Sequence, residues 1–405
     1  MKSLYKSLLA ATLCSTLCLP SYAEEQKEPR EPKDSAFVPF YFSTETLGNS
    51  FGVAGVMKGV GQPQAVLFGM GLYTDKDSYV GFLSALNYAV SDNWLVSSQL
   101  YQAQFNENPY YLGDQGNNDS DPLFQGTVTN GLENRYEATF RYLLPWGSVR
   151  DNGLLGAFQA NRDVSFASPV DSGVSSISFT PFYSSRDLDI DDERKQTTGL
   201  EIAFDWDNRD NSRNPTTGSH TRFDLTFGSE TLGTLEPWLK LEFQNSHYFD
   251  IGSLGNIFDK QVLAFDFYTA DTPTWNASYT SDRARPPEHE QVRLGGLYRL
   301  RSYTGGRYHG RSAIHYSAEY RVLPDWQPLD DIPIINYYDL PWWQWVVFAD
   351  VGRVAEEYDI KTLHTDMKWS IGGAVRFQVE GIVVRTEISR GEEEGLFRVM
   401  INQPF

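Results

Sequence analysis

The feature that most constrains this chain is a period-two alternation in which one face is apolar and aromatic and the other is charged. In "IHYSAEYRV", Ile314, Tyr316, Ala318, Tyr320 and Val322 alternate with His315, Ser317, Glu319 and Arg321, the pattern of a strand with two unlike faces. "GLEIAFDWD" repeats it, with Leu200, Ile202, Phe204 and Trp206 opposite Glu201, Asp205 and Asp207. "RYEATFRYLL" opposes Tyr136, Ala138, Phe140 and Tyr142 to Glu137, Thr139 and Arg141, and "KWSIGGAVRFQV" opposes Trp369, Ile371, Val375 and Phe377 to Lys368, Ser370, Arg376 and Gln378. "LFRVMINQPF" sets Phe397, Val399, Ile401 and Phe405 against Arg398, Met400 and Asn402. About sixteen such segments begin near 38, 51, 65, 79, 93, 134, 153, 197, 219, 236, 259, 312, 343, 368, 382 and 395.

Such strands suit a soluble sandwich or lipocalin-like barrel with its polar faces in water, or a membrane barrel with its apolar faces in lipid. An even strand number, segments of about 10 residues and weak hydropathy per strand favour the membrane barrel. So does the aromatic content, 25 Phe, 23 Tyr and 10 Trp, gathered on apolar faces and strand ends as aromatic girdles require. Connections alternate between short (208 to 218, 380 to 381) and long (107 to 133, 167 to 196, 272 to 311). With both termini periplasmic, all three long ones are expected on the outer side. The reading is an all-β, 16-stranded antiparallel transmembrane β-barrel in the bacterial outer membrane.

The N-terminus fits that compartment. Lys2 and Lys6, an apolar run from Leu8 to Leu19 and the small-x-small site Ser21-Tyr22-Ala23 make residues 1–23 a secretory signal peptide. Residues 24–36 form a short polar segment, and 37–405 are expected to be the barrel. Both cysteines, Cys14 and Cys18, fall in the signal, so the mature chain has neither disulfide nor thiolate chemistry. Loss of two lysines and no acid moves the net charge from -19 to -21, which argues against nucleic acid as a partner.

Three segments, taken in order, resemble the outer-membrane assembly and surface-antigen superfamily of the BamA/TamA type. "FDWDNRDNSRNPTTG" (204 to 218), with Asp205, Asp207, Arg209, Asp210, Pro215 and Gly218, resembles its strand-and-turn signature. "LGGLYRLRSY", with Gly295, Gly296, Arg301, Ser302 and Tyr303, resembles its sixth-outer-loop motif, and "FADVG" (348 to 352) its Phe-x-Asp-x-Gly strand. "VMINQPF" ends in the Phe typical of substrates of the outer-membrane assembly machinery, which is therefore an expected partner for the chain's own insertion. The resemblance runs from about 37 to 405. It departs from the family in two places: residues 24–36 are too few for the periplasmic POTRA domains relatives carry, and Ser302 stands where the family has glycine.

The resemblance implies that the sixth outer loop inserts into the lumen and that its arginine, Arg301, pairs with wall acids at Glu319 and Asp350. Alternation independently points both acids inward. Two carboxylates on adjacent strands repel unless a cation lies between them, and a guanidinium can bridge both; the bland alternative is an arginine in solvent. Pro39 near the first strand's start and Pro404 near the last strand's end, beside Phe405, cannot donate ladder hydrogen bonds. They mark the barrel seam either as a lateral opening or as ordinary fraying.

The expected function is transport or insertion of protein or lipid at the outer membrane, among lipid and lipopolysaccharide, with a separate periplasmic partner supplying what POTRA domains would. The alternative is a gated diffusion pore for small solutes, favoured by lumen charges at Arg141, Glu201, Asp207, Lys240, Glu242, Arg376 and Glu387. An outer-membrane enzyme is a third reading with little behind it. Six scattered histidines, no His-x-x-x-His and no Gly-x-Ser-x-Gly leave no metal site, cofactor or hydrolase to expect. "DQGNNDSD" (114 to 121) and "DLDIDDE" (187 to 193) are calcium candidates more simply read as solvated loops.

Overall fold

A computed structural model describes residues 34–44, 47–165, 168–229, 237–255, 257–277, 284–328, 332 and 337–405. The signal peptide and most of the polar segment expected after it lie outside the described residues. From Pro32 onward the chain is one compact unit.

The strands are β1 (Ser35–Thr44), β2 (Gly48–Lys58), β3 (Val66–Thr74), β4 (Tyr79–Ala89), β5 (Trp94–Tyr110), β6 (Thr127–Leu143), β7 (Val174–Leu188), β8 (Lys195–Arg209) and β9 (Gly218–Ser229). They continue as β10 (Trp238–Asp250), β11 (Phe258–Asp271), β12 (Val292–Leu294), β13 (Tyr308–Gly310), β14 (Ser312–Pro324), β15 (Trp343–Ala355), β16 (Lys368–Val379), β17 (Ile382–Gly391) and β18 (Gly395–Ile401). Sixteen of them form one antiparallel sheet in chain order, skipping the small β12–β13 hairpin. Its edge strands β1 and β18 approach each other without a ladder between them among the described residues. No described helix is long and apolar enough to cross a membrane.

Alternation decides the faces. Val347, Ala349 and Val351 of β15 are exposed, whereas Val346, Phe348 and Asp350 are buried, so the charged side is the lumen side. Registers stack the inward residues in rows. One row runs Ser317, Asp350, Ser370, Gly391 across β14 to β17, and the next is Glu319, Phe348, Gly372, Ser389. Below come Arg321, Val346, Ala374, Glu387, and then Gln344, Arg376, Arg385 on β15 to β17.

The structure corrects the sequence reading around 144–196. The segment near 153, read there as a strand, is α1 (Gly147–Asn152) followed by a 3-10 turn (Leu154–Phe158). The seventh strand is instead β7, inside what was expected to be a long outer loop. By strand parity the long connection 144–173 is therefore periplasmic, and the outer turn after β7 is short. The "GLLGAF" run is too short for its apolarity to distinguish strand from helix. β7 hides its alternation because Ser176, Ser178 and Ser184 occupy its inward positions. Pro181 breaks it further, since the pairing of β7 with β6 skips Thr180 and Pro181, as expected where a proline cannot donate.

The relocated segment packs against β5, β6 and β7. Val149 of α1 joins Leu95, Leu143 and Val174 in a buried apolar cluster, with Leu154 and Phe158 packed against it.

Candidate functional site: the loop lock in the lumen

The connection 272–311 between β11 and β14 returns into the barrel. Its β12–β13 hairpin and the turn beyond place Leu294, Leu300, Tyr303 and Tyr308 in one buried cluster with Tyr268, Ala313 and Val354 of the wall. Gly295 and Gly296 have φ of 95° and 112°, a region that disfavours side chains. A Cβ on Gly295 would lie 2.5 Å from the Thr304 carbonyl. Leu300 takes φ 47° without being glycine. Such a conformation costs energy, and here it turns the next residue toward the wall.

That residue is Arg301, whose side chain is fully buried. Its Nε donates to Asp350 Oδ2 at 3.0 Å and its Nη2 to Asp350 Oδ1 at 2.7 Å, a forked pair. Nη1 donates to Glu319 Oε1 at 2.5 Å and Nη2 to Ser317 Oγ at 3.1 Å. The backbone N of Arg301 also donates to Asp350, at 3.1 Å. The guanidinium lies 3.6 Å from the Phe348 ring centroid, a cation-π distance, and Gly372 makes room for that ring, since a Cβ there would meet it at 2.5 Å. Burial opposes the charge of Arg301, but Asp350 and Glu319 outweigh it and hold the guanidinium pKa above its usual value. A buried charge left without its partner costs about 3 to 5 kcal/mol, so the lock is strong only as a complete set.

Glu319 serves more than Arg301. Arg376 forks onto it at 2.9 and 2.6 Å and Arg321 donates to it at 2.8 Å, so three guanidiniums share one carboxylate. Arg398 of β18 grips the loop backbone, donating to the carbonyls of Gly296, Arg301 and Tyr303 at 2.7, 2.6 and 2.7 Å. Ser389 Oγ adds a bond to the Arg301 carbonyl at 2.9 Å. Ser302 bonds Ser370 through its backbone N at 3.1 Å and its hydroxyl at 2.7 Å. A side chain on Gly391 would collide with that hydroxyl, so Ser302 is accommodated by a serine and a glycine opposite it. The Tyr303 hydroxyl accepts from the Glu392 backbone at 3.3 Å.

Outside the lock, Arg307 forks onto Glu393 at 2.6 and 2.8 Å and donates to Gln115 O at 3.1 Å and Ser120 Oγ at 2.8 Å. The first calcium candidate thus receives a guanidinium of the sixth loop.

The strand-and-turn motif lies far from the lock and shapes the β8–β9 turn. Asp210 accepts from Thr216 N and Thr217 N at 2.9 and 3.1 Å, and Pro215 is buried beside them. Gly218 has φ 103°, and a Cβ there would strike the Asn208 carbonyl. Asp207 forks with Arg209 at 2.8 and 3.1 Å. It also takes Arg162 of the periplasmic connection at 3.1 Å, while Asp205 meets His220 at 2.8 Å.

The seam residues separate. Pro39 is an exposed β1 residue in register with Val53. Pro404 and Phe405 lie past β18 and, instead of continuing the seam, turn inward after Asn402, which has φ 80°. Phe405, read in the sequence as lipid-facing, is buried against Tyr248 at 6.3 Å between centroids and 5.4 Å from the Arg321 guanidinium. The lumen offers it an aromatic and a cation that lipid cannot.

Sequence alternation put Arg376 and Arg398 on the polar face, yet nothing in it showed that they converge on Glu319 and on the loop carbonyls. Phe348 was visible only as the first residue of "FADVG".

Sixteen antiparallel strands with apolar residues outward and charged residues inward define an outer-membrane barrel. The chain belongs to the Omp85 superfamily, whose domain model matches residues 60–379. Among solved structures it is similar to BamA from Haemophilus ducreyi lacking POTRA domains 1-3, at 14% identity and TM-score 0.53, covering 92% of this chain and 71% of that one. It is also similar to CdiB from Acinetobacter baumannii, at 12% identity and TM-score 0.51, covering 91% of this chain and 59% of that one. No curated protein matches it significantly by sequence.

Proposed function

We propose that the chain moves or inserts protein or lipid at the outer membrane, with the sixth loop as a plug that Arg301 holds to Glu319 and Asp350. The observation that carries this reading is the fully buried guanidinium shared by two wall carboxylates on adjacent strands. Arg398 supports a link between plug and seam, because the strand that grips the loop carbonyls is β18, one of the two edges without a ladder. Movement of the seam would then strain the plug, and release of the plug would free the seam. Phospholipid and lipopolysaccharide surround the barrel, the cell's assembly machinery inserts it, and a separate periplasmic protein delivers clients.

A disulfide engineered between β1 and β18 tests the proposal in cells carrying that chain as their sole copy. The expected result is a changed outer-membrane protein or lipid composition under oxidising conditions, restored by a reductant. An unchanged composition in the locked state would remove the case for lateral insertion. The gated-pore reading rests on the charged lumen and separates cleanly: a pore passes small ions with the seam locked, and Arg301→Ala then raises its conductance.

A further inference from the structure

We propose that the lumen beneath the loop lock holds a binding site for a phosphate-type oxyanion, built from Arg321, Arg376, Arg385 and Gln344. The first observation is a local charge imbalance in an acidic protein. On the inner faces of β14 to β18, with the loop residue Arg301, five guanidiniums (Arg301, Arg321, Arg376, Arg385, Arg398) face three carboxylates (Glu319, Asp350, Glu387). Glu319 alone answers three of the five.

The second observation is a set of buried donors with no acceptor among the described residues. Arg321 Nη1, Arg376 Nε, Arg385 Nε and Gln344 Nε2 all lack a hydrogen-bond partner, as do two neighbouring acceptors, Gln344 Oε1 and Glu387 Oε1, and all four donor residues are fully buried. Leaving such groups unsatisfied is costly. They occupy two adjacent inward rows on four neighbouring strands, where Gln344 is in register with Arg376 and Arg376 with Arg385. Two guanidiniums directly opposite each other repel, and an anion between them reverses the sign of that interaction, as Arg301 does for the two acids above. Guanidinium forks match the geometry of phosphate oxygens.

Gln403 accepts from Arg376 Nη1 at 3.3 Å, and Phe405 lies beside Arg321, so the inturned segment after β18 borders the site. Inorganic phosphate and a phosphate headgroup share the required chemistry.

The test is calorimetric titration of the purified, folded chain in detergent with inorganic phosphate and, separately, with glycerol phosphate as the headgroup probe. Arg321→Gln and Gln344→Leu are titrated in parallel, with folding checked by heat-modifiable gel mobility. Saturable binding of either probe that weakens at least tenfold in both variants is the expected result. Tighter glycerol phosphate binding assigns the site to a headgroup, and tighter inorganic phosphate binding to the free ion. No binding of either probe, or binding undiminished in the variant that folds, overturns the proposal. Gln344→Leu keeps the measurement decisive if Arg321→Gln does not fold, because the Gln344 side chain makes no hydrogen bond to Arg301, Glu319 or Asp350.

Discussion

The 272–311 and 144–173 connections are anchored to the strands by different sets of contacts. In the 272–311 connection a buried ionic set of Arg301, Glu319 and Asp350 stands beside an apolar cluster of Leu294, Leu300, Tyr303 and Tyr308 with the wall. The connection 144–173 packs Val149 on Leu95, Leu143 and Val174, and is tied to β8 by Arg162 on Asp207 and by hydrogen bonds of Ser172 with Asn208 and Trp206. Packing is lost in proportion to the atoms removed, whereas a buried ionic set fails as a unit once one member is gone.

Substitutions at each end sharpen that contrast. The largest effect is expected for Arg301→Ala, about 3 to 5 kcal/mol against loop docking, read as protease cleavage within 295–307 in a barrel that still shows folded gel mobility. Arg301→Lys keeps the charge but loses the fork, and intermediate cleavage is the expected outcome. Leu143→Ala should cost about 2 to 4 kcal/mol and expose 144–173 to protease while leaving 295–307 protected. Cleavage of both segments in either variant would mean that the two ends are one cooperative unit. Ser302→Gly removes the hydroxyl bond to Ser370, worth about 0.5 to 1.5 kcal/mol. Gly391→Ala should then be less harmful in the S302G background, as measured by loop exchange rates.

Acid is expected to act on the same loop through His289. Burial pushes the His289 pKa down to about 3, against about 6.5 in an unfolded chain. Between these values the undocked loop binds more protons than the docked one, so docking is complete above about pH 6.5 and weakens as pH falls. After correction for the pH dependence of intrinsic exchange, lower protection of the amides around His289 at pH 5 than at pH 7.5 is expected, and a smaller difference in His289→Gln.

Much of this was legible in the sequence because ladder geometry is local. Alternation alone turns Glu319 and Asp350 inward, and their places on neighbouring strands raise the need for a cation. What stayed hidden depends on reach and on the backbone. Arg376 spans two rows and two strands to Glu319, a distance no pattern encodes. The inward course of Phe405 follows from a positive φ at Asn402, which an asparagine permits but does not announce. β7 escaped because serines line its inner face, and the turn after α1 imitated a strand because the six residues of "GLLGAF" fit either period. The substitution at Ser302 was visible, but its partners Ser370 and Gly391 lie on strands far along the chain.

A double-mutant cycle on Arg301 and Asp350 tests the central claim most directly, with hydrogen exchange of 295–307 as the readout. If the buried fork holds the plug, Arg301→Ala and Asp350→Asn each accelerate exchange strongly, and the double variant exchanges little faster than Arg301→Ala alone. Fully additive effects of the two substitutions, or exchange in Arg301→Ala equal to that of the unmodified chain, would contradict it.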